Sequence, residues 1–254
     1  MREMTVVSGV DWTERVRHTP RIRLLSNQAA HPNGFLGGMN WRLAGLNAVV
    51  KFCRQPDSHC ADRDIYQFGV YSGLSMRAIV HHLVEAQVPF RRIWGLDSFS
   101  GLPHETASYI SRAGFEQGTW NISSTFGELS ISDIRANLTA YISDTRVRWV
   151  TGFYNETLTD LLASRMSSAL YVDMDCDLYS STKYALEWMC MNGILTTGSV
   201  IGYDDWLQGG RDGEMRAHRE ASDSFNISFK KVPNANKRWP CFRVESGCAS
   251  HYVD

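Results

Sequence analysis

The strongest constraint on the fold is an alternation that fills the middle of the chain. Short apolar runs, "DIYQFGV" (64–70), "RIWGLD" (92–97), "VRWVTG" (147–152), "ALYVDMD" (169–175) and "GSVIGYDD" (198–205), are separated by segments with helical spacing: "LSMRAIVHHLVEAQ", "ELSISDIRANLTAYI", "NETLTDLLAS" and "STKYALEWMCM". Strands joined through helices need crossover connections, which predicts a mostly parallel sheet with helices on both faces. A further helical stretch, "DGEMRAHREASDSF", precedes two β-rich runs, "NISFKKV" and "PCFRVES", parted by the turn-like "PNANKRW". That pair reads as an antiparallel hairpin at the sheet edge. The expected fold is a doubly wound α/β domain with a seven-stranded sheet. One domain spans 1–254, with its core at 64–246, and residues 1–60 contain a helix ("GGMNWRLAGLNAVVKFCRQ") after a polar segment read as a lid.

The 254 residues, 43% of them hydrophobic and with a formal net charge of −1, suffice for one large core. No long Lys/Arg run argues for a nucleic-acid or anionic-membrane partner. The charged N-terminus has no apolar signal core and no segment approaches a membrane span, so a cytoplasmic protein is expected. Its partner is then a small molecule, with a homo-oligomer left open. Cys53, Cys60, Cys176, Cys190, Cys241 and Cys248 form no Cys-x-x-Cys pair and no zinc spacing, and are expected to be reduced thiols.

In such a sheet ligands sit beyond the carboxyl ends of the strands. The first strand ends in "FGVYSGLS", where Gly69 and Gly73 allow a tight turn and a close approach to a helix N-terminus. The second ends in Asp97, whose carboxylate suits two ribose hydroxyls; capping of its own turn, "SFSG", is the competing role. The fourth carries Asp173, Asp175 and Asp177 at alternate positions, and the fifth ends in Asp204 and Asp205. Alternate strand residues share a face about 7 Å apart, so three such charges repel unless the strand breaks or a cation intervenes. Oxygen-only ligands suit Mg²⁺, Mn²⁺ or Ca²⁺. Asp177 or Ser180 is also well placed to cap the following helix.

The series "FGVYSGLS", "GLDSFSGLP", "GFYNETL", "DMDCDLYSSTKYALE" and "GSVIGYDDW" resembles the macrocin O-methyltransferase family of S-adenosylmethionine-dependent, metal-requiring sugar methyltransferases over residues 65–225. More distantly it is similar to the catechol O-methyltransferase type. The resemblance implies a Rossmann-like methyltransferase fold. It places Gly69 and Gly73 under the methionine part of S-adenosylmethionine, Asp97 at its ribose, Gly152 and Phe153 at its adenine, and Tyr71, Ser75 and Ser98 in the same cofactor loops. It implies Asp175, Asp204 and Asp205 as ligands of Mg²⁺ or another divalent cation. Two positions depart from the family: Asp173, and Gln67 where an acidic residue is usual.

The implied reaction is cation-dependent O-methylation of a small polyhydroxylated or glycosylated acceptor of the natural-product sugar type. Methyl transfer from a sulfonium is an in-line displacement in which positioning does much of the work, and a cation-bound hydroxyl loses its proton more easily. Asp175 is the expected base, because Leu178 stands where a catechol-type site carries Lys; His218 is a second candidate, and Trp206 and Trp239 are candidate pocket walls. A metal-dependent nucleotide-sugar glycosyltransferase would also use paired aspartates but leaves Gly69, Gly73 and Asp97 unexplained. A phosphatase needs Thr or Val four positions after its nucleophile, and neither Asp173 nor Asp175 has one. A non-catalytic S-adenosylmethionine-binding protein is the remaining alternative.

Overall fold

The structure, a computed structural model, describes residues 42–105, 115–127, 129–207 and 212–248. The expected lid therefore falls largely outside the described residues. Seven strands form one sheet: β1 (Asp64–Phe68), β2 (Ile93–Asp97), β3 (Val147–Thr151), β4 (Ala169–Met174), β5 (Val200–Tyr203), β6 (Ser228–Lys231) and β7 (Cys241–Ser246). Their order is β3-β2-β1-β4-β5-β7-β6. The first five are parallel, and β7 runs antiparallel to both β5 and β6, so the expected hairpin closes one edge.

Strands β1 and β4 are buried at every position because helices cover both faces of the sheet. One face packs Ile65, Ile93, Tyr171 and Val200 against α1 (Leu43–Cys53), α2 (Leu74–Glu85) and, beyond the short α3 (Ser123–Phe126), α4 (Ile131–Ile142). The other packs Phe68, Leu96, Val172, Met174 and Ile201 against α5 (Tyr154–Thr157), α6 (Asp160–Ala163), α7 (Tyr179–Met191) and α8 (Glu214–Phe225). Among the described residues no helix is long and apolar enough to cross a membrane.

Two expectations need correction. "NETLTDLLAS" forms two single turns, α5 and α6, because the chain leaves helical geometry at Leu158 and Thr159; Thr159 then caps α6 by accepting from the Leu162 N–H. The thiols are not all reduced. Cys53 pairs with Cys60 and Cys190 with Cys248, at Cα separations of 5.7 and 5.3 Å that permit the bonds, while Cys176 and Cys241 stay free and buried.

From β1 the chain moves outward to β2 and β3, then returns to β4 on the other side of β1. The order thus reverses between β1 and β4, and the crevice beyond their carboxyl ends is where such a sheet leaves room for a ligand.

Candidate active site

That crevice opens into a cavity of about 770 Å³, within the range of cofactor and small-ligand pockets. It is lined by Gly69, Tyr71, Ser75, Asp97, Ser98, Gly152 and Phe153, and by Asp175, Asp204 and Asp205. Gly73 does not reach the wall: it lies behind the loop as the N-cap of α2, at φ +74°. Gly69 turns the chain out of β1 at φ +81°, and a Cβ there would meet the Asp175 carbonyl oxygen at 1.7 Å. Only glycine lets β1 and β4 close together at this point. No side chain caps α2, so its first-turn N–H groups remain available to an anion at the wall formed by Leu74 and Ser75.

Of its two expected roles, Asp97 shows the capping of its own turn, and it also braces the glycine loop. Its Oδ2 accepts from the N–H groups of Val70 and Tyr71 at 2.7 and 2.8 Å, which shapes the glycine loop, and its Oδ1 accepts from Phe99 at 2.6 Å, which caps its own turn. Three of roughly four acceptor positions are thereby used, so the carboxylate retains capacity for about one ligand hydroxyl. Burial raises its pKa against the opposing pull of those three donors.

The opposite wall is acidic. Strand β4 ends at Met174, and Asp177 adopts a left-handed φ of 64°, so the three alternate aspartates do not share one face. Asp175, Asp204 and Asp205 each offer a carboxylate oxygen within 4.8 Å of the others. Burial and then the neighbouring Asp204 push the Asp175 pKa well up, with Arg42 opposing; Asp204 itself is raised to about 6 by burial, against Arg42 and with Asp205. Asp177 is raised by burial and by Asp205, which it faces. Repulsion of this kind among oxygen donors fits a hard divalent cation, and these three residues would hold it. Among the described residues the charged groups lining the cavity are all carboxylates, which also suits a cationic sulfonium.

Several participants were not anticipated. Arg42, 2% exposed at the entrance to α1, pairs with Asp173 and Asp175. Asp173 is thus a fully buried partner of an arginine, not part of the cavity wall. Glu214, at the start of α8, accepts the Asp205 N–H through Oε2 at 3.0 Å, while its Oε1 is buried without a partner; burial and then Asp205 raise its pKa. The expected cap on α7 comes from neither Asp177 nor Ser180. Leu178 is the N-cap residue, and Glu105, on the loop after β2, accepts the Ser180 N–H at 2.8 Å. That loop is tied to 118–121 by Leu102 N–H to Thr119 O (2.8 Å) and Gly118 N–H to Leu102 O (2.9 Å), which brings Trp120 over Tyr71.

His218 is not at the cavity. It stacks among Trp206, Phe229 and Phe242, bonds Tyr203 Oη through Nδ1 at 2.9 Å, and burial lowers its pKa to about 4. Trp206 belongs to that stack and Trp239 pairs with Arg238, so neither walls the cavity; Phe115, Trp120 and Tyr184 do.

With this geometry in view, relatives are informative. A tetracenomycin rhamnoside 4'-O-methyltransferase from Streptomyces olivaceus is 29% identical over 147 residues, covering 56% of this chain and 52% of that protein. The chain thus spans about half the length of this curated relative. Two solved structures share the fold: the calicheamicin methyltransferase CalS11 (TM-score 0.60, 21% identity, 94% of this chain and 99% of that one) and the O-methyltransferase NovP (TM-score 0.57, 20% identity, 80% of each). The family model for macrocin O-methyltransferases matches residues 40–234, well over half of the sequence, and the chain belongs to that family.

Proposed function

We propose that the protein is an S-adenosylmethionine-dependent, divalent-cation-dependent O-methyltransferase acting on a hydroxyl of a glycosylated natural product. The observation that carries this reading is the meeting of two walls in one cavity: the glycine loop with Asp97, and the Asp175, Asp204 and Asp205 triad. The named activity of the Streptomyces olivaceus relative on a rhamnosyl group supports a deoxysugar as acceptor.

On this reading the Gly69 turn and the uncapped start of α2 receive the methionine end of the donor, Asp97 takes a ribose hydroxyl, and Gly152 and Phe153 border the adenine. Asp175, Asp204 and Asp205 hold the cation, which when bound orients neighbouring acceptor oxygens and lowers the pKa of the reacting hydroxyl. Asp175 accepts the hydroxyl proton as the new O–CH₃ bond forms and the donor's S–CH₃ bond breaks, leaving a neutral thioether. Tyr71, Trp120 and the loop tied by Glu105 keep water from the reacting groups.

The test is calorimetric titration of S-adenosylmethionine with and without Mg²⁺, followed by mass spectrometry of a panel of rhamnosylated aromatic acceptors. Donor binding and a single added methylene, lost in a chelator, are expected. No donor binding at millimolar concentration overturns the reading, and methylation unaffected by the chelator removes the cation from it.

A further inference from the structure

The acidic edge contains a cation of its own. Arg42 is the N-cap residue of α1, and its guanidinium reaches across to the end of β4. Its Nε–H is shared between both Asp173 oxygens at 2.8 and 2.9 Å, and Nη2 donates to Asp175 Oδ2 at 2.7 Å. Asp173 is fully buried and also accepts from Tyr171 Oη at 3.3 Å, so it holds the arginine in one orientation. Asp175 is then fixed by one oxygen, and Oδ1 is the oxygen left without the arginine.

We propose that Arg42, clamped by Asp173, is a built-in counter-cation that orients Asp175 and weakens the hold of the Asp175, Asp204 and Asp205 site on a divalent cation. The inference rests on the cation-dependent reading above. A guanidinium stays charged at any accessible pH, and its planar fork can serve two carboxylates at once. Sharing Asp175 puts it within a few ångströms of any ion bound there, where partial burial leaves the repulsion poorly screened. Before an ion arrives the same charge offsets the crowded carboxylates and keeps Asp175 aimed; afterwards it keeps the ion exchangeable. Arg42 is therefore a positioning residue, acting on the acceptor through Asp175.

A purely structural role, fastening α1 to the sheet, predicts a different sign. Mn²⁺ binding is measured by electron paramagnetic resonance on the wild type, Arg42→Gln and Asp173→Asn, each first shown to melt cooperatively, with Asp205→Ala as the control that assigns binding to this site. Removing the positive charge tightens Mn²⁺ about tenfold or more, whereas Asp173→Asn, which frees the guanidinium to pair fully with Asp175, weakens it by a similar factor. Structural fastening alone would weaken both or change neither, and either result overturns the proposal. If Arg42→Gln does not fold, Asp173→Asn decides: binding equal to or tighter than wild type overturns it. A wild type that binds no Mn²⁺ instead defeats the cation-dependent reading itself and takes this proposal with it.

Discussion

Strands β1 and β4 lie side by side, and buried carboxylates stand at both ends of the pair. At the lower end Asp64 opens β1, fully buried, and its Oδ2 accepts from Trp94 Nε1 at 2.8 Å, the Ser167 N–H at 3.0 Å and Arg91 Nη1 at 3.1 Å. One oxygen thus faces three donors from two segments, while Oδ1 is buried without a hydrogen-bond partner. At the upper end the balance is reversed. Among the described residues, Asp173, Asp175, Asp177, Asp204, Asp205 and Glu214 are gathered around a single arginine, and Asp175, Asp177, Asp204 and Glu214 are raised in pKa by burial and by one another. Both ends are buried and acidic, so burial does not separate structure from function; the ratio of donors to carboxylates does. An end rich in donors is suited to fastening, and an end short of them is suited to a cation.

The comparison breaks most visibly if the upper carboxylates prove dispensable. Asp205→Ala should lower methyl transfer about a thousandfold, the scale of removing a group that stabilises developing charge. The donor's affinity should move by less than about threefold, because Asp205 belongs to the other wall and binding still has Asp97 and the α2 terminus. Calorimetry beside a turnover assay reads both, and a variant with wild-type turnover would make the upper end structural too.

The lower end should fail in the opposite way. Asp64→Ala leaves the Trp94, Ser167 and Arg91 donors unpaired, costing about 3 kcal/mol of stability, while activity per folded molecule stays at the wild-type level. Urea denaturation measures the first and an assay normalised to folded protein the second. A stable but inactive Asp64→Ala would reverse the assignment of the two ends.

A third effect sharpens the contrast by ligand rather than by mutation. Mg²⁺ at a hundred times its dissociation constant should stabilise the wild type by about 2.7 kcal/mol, since it binds the folded state alone. The increment should vanish in Asp204→Ala and survive in Asp64→Asn. Thermal melts of the three proteins with and without Mg²⁺ decide it, and an equal rise in all three would assign the ion to another place.

How much of this was legible in the sequence follows from how local each signal is. Four of the five parallel strands were readable because strands covered on both faces are largely apolar, β3 at the sheet edge being the half-exposed exception, and the acidic end was readable because its aspartates crowd two short stretches, "DMDCD" and "DD". Arg42 was not, since it meets Asp173 from 131 positions away and only the folded sheet brings them together. A buried Asp173 does demand a cation, which was the available signal, but it does not say which arginine answers. Glu105 as the cap of α7 is hidden for the same reason, as is the partner of Cys190, 58 positions away; Cys60 lies only 7 positions from Cys53, so that pair was missed although it is local. His218 misled because an amphipathic helix displays its histidine identically whether the facing surface is a cavity or an aromatic stack.

That histidine provides the smallest test, because its burial acts on the pH dependence of stability in the direction opposite to the raised carboxylates. Burial depresses its pKa from 6.5 to about 4, so between these values the unfolded chain binds a proton that the folded protein refuses. Its stabilising contribution is complete above pH 6.5 and is lost as the pH falls towards 4, by at most about 1.4 kcal/mol per pH unit. Carboxylates with raised folded pKa values, such as Asp175 and Glu214, run the other way and gain stability over the same fall. His218→Asn removes the loss, keeps a polar group for Tyr203 Oη, and leaves the carboxylates untouched. Between pH 6.5 and 5.5 the variant should therefore gain stability relative to the wild type, measured as the difference in urea midpoints at each pH. Parallel pH profiles for the two proteins would mean that His218 is not the group whose burial opposes the acidic end.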